Sequence, residues 1–328
     1  MEVPWKRGLQ IAVTAVAVVF ILRVADPARV AGVLTRVQPA WLLAAIGLWA
    51  GIQALAILKW QAANALQGVH ASLAVTARAH LVGMFFNTFL PSSFGGDAVR
   101  AYQLARRSGR TAGSVGSVIV DRFLSLHALL VAAGGAVLGL PALRQAVSMP
   151  TLVAVSLAGT APFFMPLLLT RSPLSRLVGR LPGLASVLEA FVAPGAARRT
   201  GTLYLMALVM QVLNALMHVW ICRSLGLDVP AAYVMGFVPV MVLIGSLPVS
   251  VNGLGLREGA LVYFLGRAGV PAAEALAVGF LSLLMLLLAG AVGAWVYWTD
   301  REPAADGPPA PAPPPRPPSD REATSRNS

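Results

Sequence analysis

Three pairs of charged residues stand where an apolar chain has no ordinary use for them. Asp97 and Arg100 follow Gly95-Gly96, Asp121 and Arg122 lie inside the apolar run 112–140, and Arg257 and Glu258 follow Gly253-Leu254-Gly255. Charges at membrane depth are costly and persist where they face a partner or a wet cavity. An arginine just after a glycine break combines a guanidinium fork with the backbone amides freed at a helix start, and both suit a phosphate. The expectation is a lipid-headgroup site built on Arg100 and Arg257, with Gly96 and Gly255 as amide-bearing breaks and Asn87 and Asn252 beside them. Asp97 and Glu258 would hold the arginines when no lipid is bound, and Asp121 and Arg122 would line the same cavity. For Asp121 and Arg122 a purely structural salt bridge is an equal reading. A further alternative has Asp97, Asp121 or Glu258 acting as acid or base on a lipid phosphate.

The two arginines occupy matching places in a repeated motif. Leu90-Pro91-Ser92-Ser93-Phe94-Gly95-Gly96-Asp97-Ala98-Val99-Arg100 aligns without a gap on Leu247-Pro248-Val249-Ser250-Val251-Asn252-Gly253-Leu254-Gly255-Leu256-Arg257, with Leu, Pro, Ser, Gly and Arg coinciding. Each copy ends an apolar stretch, about 72–90 and 231–250. Broken hydrophobic segments at corresponding places in two halves point to a transporter-type binding site.

Composition sets the class in which these residues act. The chain is 57% hydrophobic and 12% charged, about half the charge of a soluble protein. It is therefore read as an integral membrane protein. Its net charge of +12 lies in loops between apolar spans, where positive-inside topology and anionic lipid explain it without nucleic acid. Cys222 is the single cysteine, and His70, His80, His127 and His218 are dispersed, so neither a disulfide nor a metal site is expected. Gly253 to Glu258 fails the dinucleotide pattern, and no P-loop or nucleophile elbow occurs, so no cofactor and no enzyme activity are expected.

Six spans are expected, at roughly 8–24, 41–58, 112–140, 150–170, 202–222 and 272–298. Lys6 and Arg7 before the first could also open a signal peptide, though no small-residue cleavage site follows. If residues 72–105 enter and leave on the cytoplasmic side, Arg106, Arg107, Arg110, Arg171, Arg176 and Arg180 all become cytoplasmic. Residues 231–268 then enter and leave from the opposite side. The expected fold is all-α and polytopic, with two re-entrant hairpins in an inverted repeat; eight spanning helices is the alternative. Stretch 171–201 reads as short interfacial helices or a solvated loop. Residues 1–300 would form the transmembrane domain. Residues 301–328, rich in Pro and Ala, would form a disordered or polyproline tail, with a partner-ligand role the lesser alternative.

These residues carry a family resemblance. Asn87-Thr88-Phe89-Leu90-Pro91 with Gly96-Asp97 and Arg100, then Val120-Asp121-Arg122-Phe123, then Leu247-Pro248 with Gly253-Leu254-Gly255-Leu256-Arg257-Glu258 resemble the lysylphosphatidylglycerol synthase transmembrane, or flippase-like, family. The resemblance spans about residues 5–299, with Ser92 where the pattern has Gly. It implies a membrane region that moves an anionic lipid between leaflets, a phospholipid or a polyprenyl-phosphate-linked one. Full-length synthases add a soluble domain that makes the lipid; here a proline-rich tail follows instead, so synthase activity is not carried over. Implied partners are membrane lipids and a lipid-modifying enzyme or glycosyltransferase, in a bacterial cytoplasmic membrane. A structural subunit for such an enzyme is a further alternative.

Overall fold

The structure, a computed structural model, describes residues 27–89, 95–145, 195–246, 250 and 253–299. Segments 8–24 and 150–170, most of 171–201, the tail, Asn252 and the motif tips at 90–94, 247–249 and 251 lie outside the described residues. The described residues up to Tyr297 belong to one compact unit.

Ten helices are described: α1 Pro27–Leu34, α2 Pro39–Leu66, α3 Leu73–Phe89, α4 Gly95–Ser108, α5 Thr111–Gly139, α6 Pro141–Arg144, α7 Ala196–Ser224, α8 Ala231–Gly245, α9 Leu256–Arg267 and α10 Ala272–Thr299. No strand occurs among the described residues. Helices α2, α5, α7 and α10 run 28, 29, 29 and 28 residues and are long and apolar enough to cross a membrane. At 1.5 Å per residue each exceeds the roughly 30 Å hydrocarbon core. Proline at the first turn of α2 costs no hydrogen bond, because that N–H has no helical acceptor. Helices α4, α8 and α9, with 14, 15 and 12 residues, reach only about 18–23 Å and fall short of that core.

The short helices pair into two hairpins, α3 on α4 and α8 on α9. Each hairpin has its own buried core. One gathers Trp60, Ala63, Ala79, Leu104, Val118, Leu124 and Leu203 around α3–α4. The other gathers Ala133, Val137, Ile221, Phe237, Phe264 and Met285 around α8–α9. The long helices α2, α5 and α7 contribute to both cores, so they are the beams on which the two hairpins sit. Leu43, Val131, Leu205, Val212 and Phe280 point outward and exposed, an apolar exterior that costs nothing in lipid.

Small residues allow the close approaches. On α10, Gly290 lies against Thr88 and Gly293 against Leu81 and Phe85, so α3 seats on α10 through two glycines one turn apart. The Phe85 ring stacks on Tyr297 with centroids 6.0 Å apart. Without a solvent-driven term between helices in lipid, such packing is the main source of association.

Candidate functional site

In the first hairpin the glycine break serves packing before anything else. A Cβ on Gly96 would collide with the Gly83 carbonyl and with the Asn87 side chain. The Gly96 N–H donates to Asn87 Oδ1 at 2.9 Å, so Asn87 caps the start of α4. Asp97 in the first turn of α4 and Arg100 in the second face α5. Arg100 Nε lies 3.0 Å from Asp97 Oδ1, and its terminal nitrogen donates to Asp121 Oδ2 at 2.9 Å. Lys59 of α2 meets Asp121 Oδ1 at 2.9 Å and also donates to Ser125 Oγ. Arg122 donates twice to Asp97, at 2.5 and 2.9 Å. The Arg100 guanidinium also stands 4.8 Å over the Trp60 ring, whose Nε1–H donates to Ser117 Oγ at 3.2 Å. Three cations thus share two carboxylates, and every charge has a partner.

Sequence reasoning passed over Lys59. A lone lysine in a long apolar run is the same signal that picked out Asp121, and it marks a buried partner. Only Arg122 reaches outward, with its side chain 51% exposed.

The second hairpin is built differently. Gly253 and Gly255 have φ of +74° and +85°, values at which an L side chain is strained, and they turn the chain sharply into α9. The Gly255 N–H donates to Glu258 Oε2 at 2.6 Å. Glu258 therefore caps its own helix rather than pairing with Arg257. Arg257 falls in the first turn of α9, and its side chain lies across Gly245, where a Cβ would sit 2.7 Å from Nε. Its Nε is buried without a hydrogen-bond partner, and no carboxylate is within ion-pair distance among the described residues. A cation at a helix N-terminus also opposes the helix dipole. Two unfavourable placements coincide on one guanidinium, and an anion would relieve both.

Arg257 lines a cavity of about 310 Å³ enclosed by α2, α7, α8, α9 and α10, whose polar lining is Gln53, Asn214, His218, Arg257, Glu258 and Ser282. Trp49, Met217, Met285 and Leu286 supply apolar wall. Arg100, Asp97, Asp121, Arg122, Asn87 and Gly96 are not among the residues around it. Among the described residues Arg100 and Arg257 do not line one cavity: Arg100 sits in the ion-paired cluster, whose Asp97 borders a separate, mostly apolar groove of about 660 Å³ between α4 and α5, and Arg257 lines the polar cavity. The helices start at different motif positions, Gly95 in α4 and Leu256 in α9, which swings the matched arginines into different surroundings. A contact path still joins the two places. Gln53 of the cavity lies 3.4 Å from His80 Nε2, and the His80 ring is 6.5 Å from that of Trp60.

Comparison with known proteins decides the family. The model of the lysylphosphatidylglycerol synthase TM region matches residues 8–301. The chain belongs to that family. A UPF0104 membrane protein of Methanothermobacter thermautotrophicus (strain ATCC 29096 / DSM 1053 / JCM 10044 / NBRC 100330 / Delta H) is 24% identical over 319 residues, covering 88% of this chain and 94% of that relative. No solved structure matches. Family membership and the apolar helices together establish an integral, multi-pass membrane protein. The family match runs through both hairpins, so the ion-paired cluster and the cavity both lie inside the region that defines it.

Proposed function

We propose that this chain binds a lipid through its anionic headgroup phosphate at Arg257 and carries it between leaflets. One observation carries the reading: a half-buried Arg257 at a helix N-terminus, whose Nε is buried without a hydrogen-bond partner among the described residues, lining a polar cavity among membrane helices. A phosphate there would gain charge-assisted bonds from Arg257 and the favourable end of the α9 dipole. The short hairpins α3–α4 and α8–α9 enter the membrane without crossing it, and Gly96 and Gly253 at their breaks lie against protein, where irregular backbone is tolerated. The ionic cluster of Lys59, Asp97, Arg100, Asp121 and Arg122 pins the first hairpin to α2 and α5 as a fixed frame. Partners are membrane lipids, and the setting is the cell membrane, with a lipid-modifying enzyme or glycosyltransferase supplying or using the lipid.

Translocation is favoured over catalysis by the state of the carboxylates. An acid or base must reach the substrate, yet Asp97 and Asp121 are held by cations, and Glu258, the carboxylate that borders the cavity, has one oxygen engaged by the Gly255 N–H. The test is fluorescent phosphatidylglycerol in proteoliposomes, with dithionite quenching of the outer leaflet. Arg257→Gln removes charge-assisted bonds and should slow translocation about tenfold to a hundredfold. Arg257→Lys, a point charge in place of a planar fork, should recover only part of that. Folded Arg257→Gln moving lipid at the wild-type rate would overturn the reading.

A further inference from the structure

The cavity has a second wall that a bare phosphate does not explain. His218 of α7 is 5% exposed, and its Nδ1 lies 2.8 Å from the backbone oxygen of Asn214. A carbonyl can only accept, so the hydrogen sits on Nδ1. In the neutral ring Nε2 then keeps its lone pair, and among the described residues it has no partner. Glu258 repeats the pattern: Oε2 is taken by the Gly255 N–H, while Oε1 has no partner among the described residues. Around one cavity, then, Arg257 is the charged donor, the Gln53 and Asn214 amides can donate or accept, and His218 Nε2 and Glu258 Oε1 are acceptors only. A phosphate oxygen, itself an acceptor, satisfies neither His218 Nε2 nor Glu258 Oε1.

We infer that the cavity selects a headgroup whose phosphodiester bears a further O–H or N–H donor, and that His218 reads that donor. The inference rests on Arg257 as the phosphate anchor. Glycerol, ethanolamine and sugar headgroups meet the requirement, whether carried on diacylglycerol or on a polyprenyl chain. Choline does not, because its quaternary nitrogen carries no hydrogen. An acceptor left facing a methyl group forfeits the bond and is desolvated without compensation, which is worth about tenfold.

The experiment compares fluorescent phosphatidylglycerol, phosphatidylethanolamine and phosphatidylcholine in the same proteoliposomes. Wild-type protein should move the first two about tenfold faster than the third. His218→Asn keeps a donor for the Asn214 carbonyl and removes the Nε2 acceptor, so the three rates should converge. His218→Gln, which extends an acceptor toward the Nε2 position, should preserve the ranking. Unlabelled phosphatidylglycerol and an unlabelled polyprenyl-phosphate sugar, added separately as competitors, identify which chain carries the headgroup. Competition by phosphatidylcholine alone would contradict the inference. Equal wild-type rates for all three lipids would overturn it, and this holds even if the His218 variants fail to fold. A ranking unchanged in folded His218→Asn would remove His218 as the reader. Arg257→Gln answers a separate question: it should slow phosphatidylglycerol and phosphatidylethanolamine alike, and a wild-type rate there sinks the anchor rather than the selection.

Discussion

Asp121→Asn is the sharpest probe of the ionic cluster. Asp121 sits at the junction of α2, α4 and α5, with Lys59 at 2.9 Å on one oxygen and Arg100 at 2.9 Å on the other. The side chains of Lys59, Arg100 and Asp121 are 4%, 6% and 9% exposed, so water cannot replace the lost charge. Asparagine keeps the size but leaves three cations on one carboxylate. Removing one partner of a buried pair costs about 3–5 kcal/mol. Because this carboxylate holds two cations, the upper end is expected. Lys59→Met is the control: it leaves two cations and two carboxylates, and Asp121 keeps Arg100 while losing one bond, so a smaller loss of about 1–3 kcal/mol is expected. The assay is SDS titration of purified protein in mixed micelles, followed by tryptophan fluorescence. Asp121→Asn within about 1 kcal/mol of wild type, or Lys59→Met as damaging as Asp121→Asn, would refute the reasoning.

Further predictions follow the same geometry. Gly96→Ala should destabilise the protein by about 1–3 kcal/mol, since its Cβ would meet Gly83 and Asn87. Gly259→Ala, with open space around it, should be neutral or stabilising by up to about 1 kcal/mol, and the same titration separates the two. In a Cys222→Ser background, a cysteine at position 106 should react with a membrane-impermeant thiol reagent from the cytoplasmic side; labelling from outside would reverse the orientation drawn from the arginine-rich loops. Deleting residues 304–328 should leave expression and lipid movement unchanged, because that composition cannot bury a core, and loss of either would show an assembly role.

What could be read in advance followed from rules that act along the chain. Hydropathy located α2, α5, α7 and α10 because bilayer thickness sets a minimum apolar length whatever the helices later touch. The glycine breaks ahead of Arg100 and Arg257 were likewise legible, since only special backbone ends an apolar run there. The different fates of those arginines were not. The repeat equates them, whereas the structure starts α4 at Gly95 and α9 at Leu256, so Arg100 lies in the second turn and Arg257 in the first. Arg100 then meets Asp121 and Trp60, contacts made across helices, and no local pattern encodes them. Lys59 was missed for the same reason, as its meaning depends on a carboxylate one helix away. Glu258 shows the reverse case: its partner is the Gly255 N–H three residues back, a local capping contact that spacing alone could have suggested.

The central claim is that Arg257, and not Arg100, anchors the lipid phosphate, and direct binding tests it most closely. Native mass spectrometry of detergent-solubilised protein titrated with phosphatidylglycerol should show a bound lipid on wild type that weakens at least tenfold in Arg257→Gln. Folded Arg257→Gln that retains the same bound lipid at wild-type affinity would contradict the account.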